Sequence, residues 1–334
     1  MSSVRTKQSL DVLPDVAQLS DRVWRVLGQN PGPFTLQGTN TYLVGAGPRK
    51  ILIDCGQGEL GYMPLLRQAL QNIDPHAFIS DILITHCHFD HWLGVSDFFP
   101  ANASTSEHDC QSEDDAAAAE LSIRVHKYPL DPDSHDAQIF MNGFPDHIDI
   151  QPLHEGQVLQ VDEETTLQVV HTGGHTKDHC CFWLREENAI FTGDCVLGHG
   201  TVVFDDLVEY LDGLRKLETL QPQMLYPGHG PVVQDGIAKI RQYVNIRLQR
   251  EDQILALIQS EADRDIWTPI DIGQRLGDGL PPEVQPAYIR GIALHLLKLQ
   301  HDGKVRAKDA TVANKYDVYD LISKEYYYIG NSRL

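Results

Sequence analysis

The chain has 334 residues, 42% hydrophobic and 22% charged, so it holds enough apolar material for a core and wholesale disorder is excluded. Its 47 acidic and 27 basic residues leave a formal charge of −20, which disfavours a nucleic-acid partner unless basic residues gather into a patch. No apolar run approaches the roughly 18–20 residues of a membrane helix. Six cysteines without a CxxC pair, and a start lacking a secretory apolar core, point to reduced thiols and a cytoplasmic protein without membrane association.

In chain order, "RVWRVL" (22–27) and "TYLV" (41–44) read as short strands separated by a Gly/Pro/Asn-rich loop. "KILIDCG" (50–56) is a third strand, ending in Asp54 and a glycine turn. Apolar spacing predicts a helix over 61–73, and "FISDILITH" (78–86) is again a strand. Residues 100–150 change character: "STSEHDCQSEDDAAAAE" holds six acids and no base, and a turn-rich stretch follows. That composition predicts a long surface insertion or lid. Strands resume at "GQVLQV" and "TTLQVVHTGG", and "REEN" turns a hairpin within "HCCFWLREENAIFTGD". An amphipathic helix covers 205–220, then "MLYPGHG" gives a short strand and turn. From about 236 helices take over and close on a short hairpin. The expected division is a layered α/β catalytic domain over 1–235 and a helical, winged-helix-like appendage over 236–334.

Four strand ends carry ligand-type side chains: "THCHFDH" (85–91), "HTGGHT" (171–176), "FTGDC" (191–195) and "YPGHG" (226–230). Imidazole and carboxylate are the usual zinc ligands, and a carboxylate can bridge two metals. His86 and His88, two apart on an extended segment, point the same way and can face one metal; Asp90 and His91, on the next turn, can face a second. His175, Asp194 and His229 would complete two sites from the other strand ends. Without partners, two histidines and an aspartate beside a buried sheet would cost several kcal/mol, so metal occupation explains the crowding. His179 and His199 lie close in sequence to these ligands and are candidates for supporting roles.

"HCHFDH" resembles the HxHxDH signature of the metallo-β-lactamase superfamily, and the other ligand motifs follow in the expected order over roughly residues 22–232. The resemblance implies a four-layer αββα sandwich and two Zn2+ per chain. It places His86, His88 and His175 on one ion and Asp90, His91 and His229 on the other, with Asp194 bridging and Asp54 supporting. "NPGPFTLQGTNTYLVGAGPRKILIDCG" and "YPGHGPVV" are similar to the beta-lactamase-like 2 branch, which includes animal endoribonucleases and fungal thioesterases that release polyketides from an acyl carrier protein. Members of that branch carry a C-terminal winged-helix-like extension. Two positions depart from the pattern: Cys87 stands where Trp is common, and Gly173 where Pro is usual.

Zinc brings bound water to a pKa of about 7. The expected reaction is attack of that hydroxide on an acyl carbonyl or a phosphodiester, with Asp90 holding it and taking or relaying its proton. Residues 287–334 carry eight Lys/Arg against five Asp/Glu, a mild +3 bias of the kind an ordinary solvated face shows, and the rest of the chain is then −23. Charge therefore favours a small-molecule acyl thioester, delivered by an acyl carrier protein or polyketide synthase in secondary metabolism, over RNA. A non-catalytic binding scaffold is the alternative of another class, and complete ligands argue against it. The oligomeric state is left open, a homo-oligomer included. Trp92, Phe98, Phe99, Tyr128, Phe140 and Phe144 either line an apolar pocket or pack the insertion onto the body.

Overall fold

The structure is a computed structural model that describes residues 10, 12–99, 123–261, 263–282, 284–309 and 316–329. A seven-stranded sheet runs in chain order: β1 (Val16–Gln18), β2 (Val23–Leu27), β3 (Asn40–Val44), β4 (Arg49–Ile53), β5 (Phe78–Ile84), β6 (Arg124–Lys127) and β7 (Ile150–Pro152). Its first four strands are antiparallel neighbours and its last four are parallel. A second sheet contains β8 (Val158–Asp162), β9 (Thr165–His171), β10 (Cys180–Leu184), β11 (Ala189–Gly193) and β12 (Met224–Pro227), in the order β12-β11-β10-β9-β8.

Period-two alternation decides the layering. On β3 and β4, Tyr42, Val44, Ile51 and Ile53 face Leu167, Val169, Phe182 and Phe191 of the second sheet. The intervening Leu43 and Leu52 face the opposite way, onto Tyr62, Leu66 and Ala69 of helix α1 (Tyr62–Ile73). On the far side, Val170, Cys181 and Ile190 pack against Leu207, Leu211 and Leu214 of a later helix spanning Leu207–Thr219. The result is helix, sheet, sheet, helix. The four-layer expectation holds.

Part of the stretch expected as an insertion or lid, 100–150, is sheet. Residues 100–122, with the acidic stretch, lie outside the described residues. Beyond them β6 and β7 extend the parallel half of the main sheet, with Val125 buried, and residues 128–149 between the two strands are largely half-buried or exposed. The strand was hidden by its charged residues, which turn out to be paired. Asp81 on β5 is 3% exposed and accepts from His126 Nε2 (2.8 Å), Arg124 Nε (2.8 Å), Arg49 Nη2 (3.0 Å) and Ser80 Oγ (2.6 Å). Burial alone would raise its pKa, but His126, Arg124, Ser80 and Arg49 together hold it well below the usual carboxylate range. A folded-state pKa below the unfolded value means that this stabilisation is complete above the unfolded pKa, near 3.9, and is lost as pH falls through the folded one. Asp81→Asn is therefore expected to lower stability at pH 7 and to flatten its decline below about pH 4. Urea titrations at pH 7 and pH 3 check this, and parallel acid limbs in wild type and variant would count against it.

The remaining helices are α2 (Phe89–Trp92), α3 (His135–Phe140), α4 (Leu207–Thr219), α5 (Gly236–Ser260), α6 (Pro269–Leu276), α7 (Gln285–His301) and α8 (Val318–Ser323). A small sheet of β13 (Ile266–Trp267), β14 (Val305–Ala307) and β15 (Tyr326–Tyr328), ordered β13-β15-β14, joins the C-terminal helices. The boundary expected at 235/236 falls at the start of α5. The first half of that helix (Ile240, Tyr243) packs on the second sheet, and its second half (Ile254, Ile258) enters a separate core with Trp267, Ile272, Ile292 and Leu296. Among the described residues, no helix is long and apolar enough to cross a membrane.

At one end the two sheets are stitched together. Asn40 Nδ2 donates to Pro227 O and Gly230 O (both 2.8 Å), Tyr42 Oη donates to Pro227 O (2.7 Å), and Thr39 bridges His229. The candidate site lies at this end.

Candidate metal centre

The ends of β5, β9, β11 and β12 bring all seven sequence-predicted ligands together. Three imidazole nitrogens face one another: His86 Nε2 is 3.0 Å from His88 Nδ1 and 3.3 Å from His175 Nε2, which is 3.1 Å from His88 Nδ1. Beside them, Asp90 Oδ2 lies 3.3 Å from His91 Nε2 and 3.2 Å from His229 Nε2. Asp194 stands between the two trios. Its Oδ1 is 3.3 Å from His229 Nε2 and 3.6 Å from His91 Nε2, while Oδ2 is 3.8 Å from His175 Nε2.

These residues fit a pair of metal ions. Within the first trio, hydrogen bonding cannot satisfy all three contacts, because each facing nitrogen carries either one proton or one lone pair. Nitrogens bound tetrahedrally to one zinc at 2.0–2.1 Å would stand roughly 3.3 Å apart, which matches. Burial lowers the pKa of His86 well below normal and, with His175 adjacent, that of His88 to about 4. Both imidazoles are therefore neutral, as ligation requires. In the second trio, His91 Nε2 and Asp194 Oδ1 are buried without a hydrogen-bond partner among the described residues. Burial would lower the His229 pKa too, but Asp194 and Asp90 lift it to about 9. Asp90 and Asp194 thus concentrate negative charge where a cation would be held.

The ring poses are set from behind. Asp54, on a left-handed backbone (φ +56°) after β4, accepts from His91 Nδ1 (2.7 Å), leaving Nε2 to face inward. It also accepts from Thr85 N (2.8 Å) and Thr85 Oγ1 (3.0 Å), and that hydroxyl accepts in turn from His86 Nδ1 (2.9 Å). His175 Nδ1 donates to Val203 O (2.7 Å). His179 takes no place among the facing donors. Its Nε2 accepts from the backbone N–H of Asp194 (3.1 Å) and its Nδ1 donates to Thr172 Oγ1 (2.9 Å), so it positions the Asp194 main chain. His199 lines the adjoining cavity and belongs to none of the donor trios.

Close packing explains two glycines. A Cβ on Gly228 would lie 2.5 Å from Asp194 Oδ1, and one on Gly174 would lie 2.2 Å from Tyr210 N. Gly174, at φ +111°, rather than the unusual Gly173, is the position that needs the freedom. Cys87 points away from the donors, fully buried. Burial, with Asp178 beside it, pushes its thiol well above the usual range, so it is an inert packing group.

Sequence reasoning missed Thr39, Thr85, Thr172 and a buried ion pair, Lys127–Asp178 (2.5 Å). Thr85 and Thr172 lie within the ligand motifs, which was the available signal, whereas Thr39 lies in none of them. The partner of Lys127 lies 51 residues away and gave none.

The donors open onto a cavity of about 770 Å³. Of the six aromatics singled out from the sequence only Phe140 lines it, and Phe34 and Phe89 do so unexpectedly. Trp92 is wholly buried in the core, with Phe98, Phe99 and Phe144 packed on the same cluster, and Tyr128 stacks on His171.

A two-sheet sandwich with such a donor cluster at its open end defines the class, and the Metallo-beta-lactamase superfamily profile matches residues 34–229. The chain belongs to the metallo-beta-lactamase superfamily, a family of hydrolases. It is 36% identical to the beta-lactamase-like protein 2 homolog of Caenorhabditis elegans over 89% of this chain and 90% of that one. It is 41% identical to an atrochrysone carboxyl ACP thioesterase of Paecilomyces divaricatus over 89% and 85%. A beta-lactamase domain protein from Burkholderia ambifaria shares the fold at TM-score 0.71 and 17% identity, with 95% of each chain covered.

Proposed function

We propose that this protein is a dinuclear zinc thioesterase that releases a polyketide-type acyl chain from an acyl carrier protein. The observation that carries the reading is the lining of the cavity. Phe34, Leu36, Phe89, Phe140, Val202 and Val203 form its walls, and among the described residues no Lys or Arg lines it. A phosphodiester backbone needs cations along its track, whereas an acyl chain needs apolar surface. The named activity of the Paecilomyces relative supports the same choice.

The proposed ligands are His86, His88 and His175 for one ion and Asp90, His91 and His229 for the other, with Asp194 shared. When bound, the pair supplies Lewis-acid polarisation of the acyl carbonyl and a water whose pKa is near 7. Asp90 does the proton work. Burial would raise its pKa, but His91 and His229 keep it ionised, and Thr39 Oγ1 donates to its Oδ2 (3.1 Å). An ionised, oriented carboxylate on the cavity wall can hold a reacting water and take its proton. Asp54, Val203 O and Thr85 engage the outer ring nitrogens of His91, His175 and His86, so each turns Nε2 toward the cluster. No Ser or Cys nucleophile is required.

The test is direct. Purified, zinc-loaded protein is offered a panel of acyl thioesters, carrier-bound and free, beside single-stranded RNA. Thioester turnover that disappears in His88→Ala is the expected result. RNA cleavage lost in that variant, with thioesters untouched, would replace this reading by the endoribonuclease one, and a protein that takes up no metal would favour the scaffold.

A further inference from the structure

We propose that the C-terminal helices are part of the active site, with Arg247 and Arg290 acting as positioning residues that clamp the 197–205 loop so that it orients His175 and walls the cavity. The inference rests on the reading of His175 as a metal ligand. The loop has no regular structure, so its backbone groups need partners from elsewhere. Three successive carbonyls find them. Val203 O accepts from His175 Nδ1 (2.7 Å). On one side of it, Val202 O accepts from Arg247 Nη2 of α5 (2.8 Å). On the other, Phe204 O accepts from Arg290 Nη1 of α7 (3.1 Å), while Nη2 of the same guanidinium takes Asp205 Oδ1 (2.6 Å). The carbonyl that fixes the His175 ring is thus held between two arginines of the appendage.

Other contacts tighten the same segment. Tyr243 Oη of α5 donates to Gly200 O (3.0 Å) and accepts from Leu197 N (3.1 Å). Asp205 N and Asp206 N donate to Gly174 O (2.7 and 3.0 Å), immediately before His175. The Phe204 ring lies under the Arg247 guanidinium (4.8 Å), stacks on Tyr210 (5.5 Å) and meets His295 of α7 edge-on (5.8 Å). Meanwhile Val202 and Val203 line the cavity, as do Leu197, His199, Gly200 and Thr201. A second part of the wall is touched as well: Tyr316 stacks on His135 (4.0 Å), which opens helix α3, and Phe140 at the end of α3 lines the cavity and meets His88 edge-on (4.7 Å). Both parts of the wall are therefore braced from the C-terminal part of the chain.

A planar fork holding a carbonyl and a carboxylate at once is a task for Arg that Lys performs only in part. The test compares Arg290→Gln, Arg290→Lys, Arg247→Gln and His175→Ala in the full chain. Zinc affinity is measured by competition with a chromophoric chelator, the d–d spectrum of the cobalt-substituted protein is recorded, and kcat and KM are measured on the thioester that the panel above identifies. For Arg290→Gln the expected result is a zinc affinity about ten- to hundredfold weaker at one of the two sites, as for other groups that orient a metal ligand. A shifted cobalt spectrum and a raised KM should accompany it, with Arg290→Lys intermediate and Arg247→Gln in the same direction. Should Arg290→Gln fail to fold, Asp205→Asn removes the charged half of the fork and is expected to act likewise. If His175→Ala loses one metal while the arginine variants keep wild-type affinity, spectrum and KM, the clamp is refuted and the ligand reading stands. If His175→Ala keeps both metals, the ligand reading falls and this inference with it.

Discussion

Asp194→Ala should reduce thioester turnover by roughly a thousandfold or more, the scale of several kcal/mol of metal-derived stabilisation. The reason is its place between the trios. Oδ1 faces His229 and His91 while Oδ2 faces His175, so one substitution strips a donor from both sets. In the metal-free protein the same carboxylate offsets charge on His229, whose pKa stands at about 9 despite burial. The variant should therefore bind less metal and gain little thermal stability from added zinc, whereas wild type gains with concentration. Elemental analysis, kinetics and melting curves with and without zinc measure all three. Near-normal turnover in Asp194→Ala would remove the proposed shared ligand.

Lys127→Met should destabilise the fold by about 3–5 kcal/mol, the cost of leaving a buried charge without its partner. Lys127 is 3% exposed and Asp178 is fully buried, with Nζ and Oδ2 2.5 Å apart. After the change Asp178 would keep Thr176 Oγ1 (2.8 Å) and the weakly donating Cys87 thiol, too little for an ionised carboxylate. Pairing Lys127→Met with Asp178→Asn should recover much of the loss, since both charges then leave together. Urea unfolding of the two single variants and the double variant reads the cycle. Equal losses in Lys127→Met and the double variant would show that the pair is not the source. The pair also sits behind the metal centre, because Cys87, flanked by His86 and His88, lies against Asp178.

The seven donors were legible because each follows an apolar strand in a short local pattern. Their ring atoms were not: His88 turns Nδ1 inward while His86 and His175 turn Nε2, a choice made by side-chain torsions and distant partners. The layering was legible through the family resemblance, not through alternation: β3 and β4 carry consecutive apolar residues, Tyr42–Val44 and Ile51–Ile53, because both faces of that sheet are covered. Strand β6 escaped because its sequence, RVHK, looks like surface until Asp81 and Asp178 are brought to it from other segments. Arg247 and Arg290 escaped for a related reason. Their acceptors are carbonyls 45 and 86 residues away, and a carbonyl leaves no trace in residue type.

Asp54 ties the two donor trios to each other. Its single carboxylate grips the His91 ring directly and the His86 ring through the Thr85 hydroxyl, so one imidazole of each trio leans on the same support. The trios are thus two halves of one mechanical unit. A substitution at Asp54 would therefore release the back of the His91 ring and, through Thr85, that of the His86 ring together.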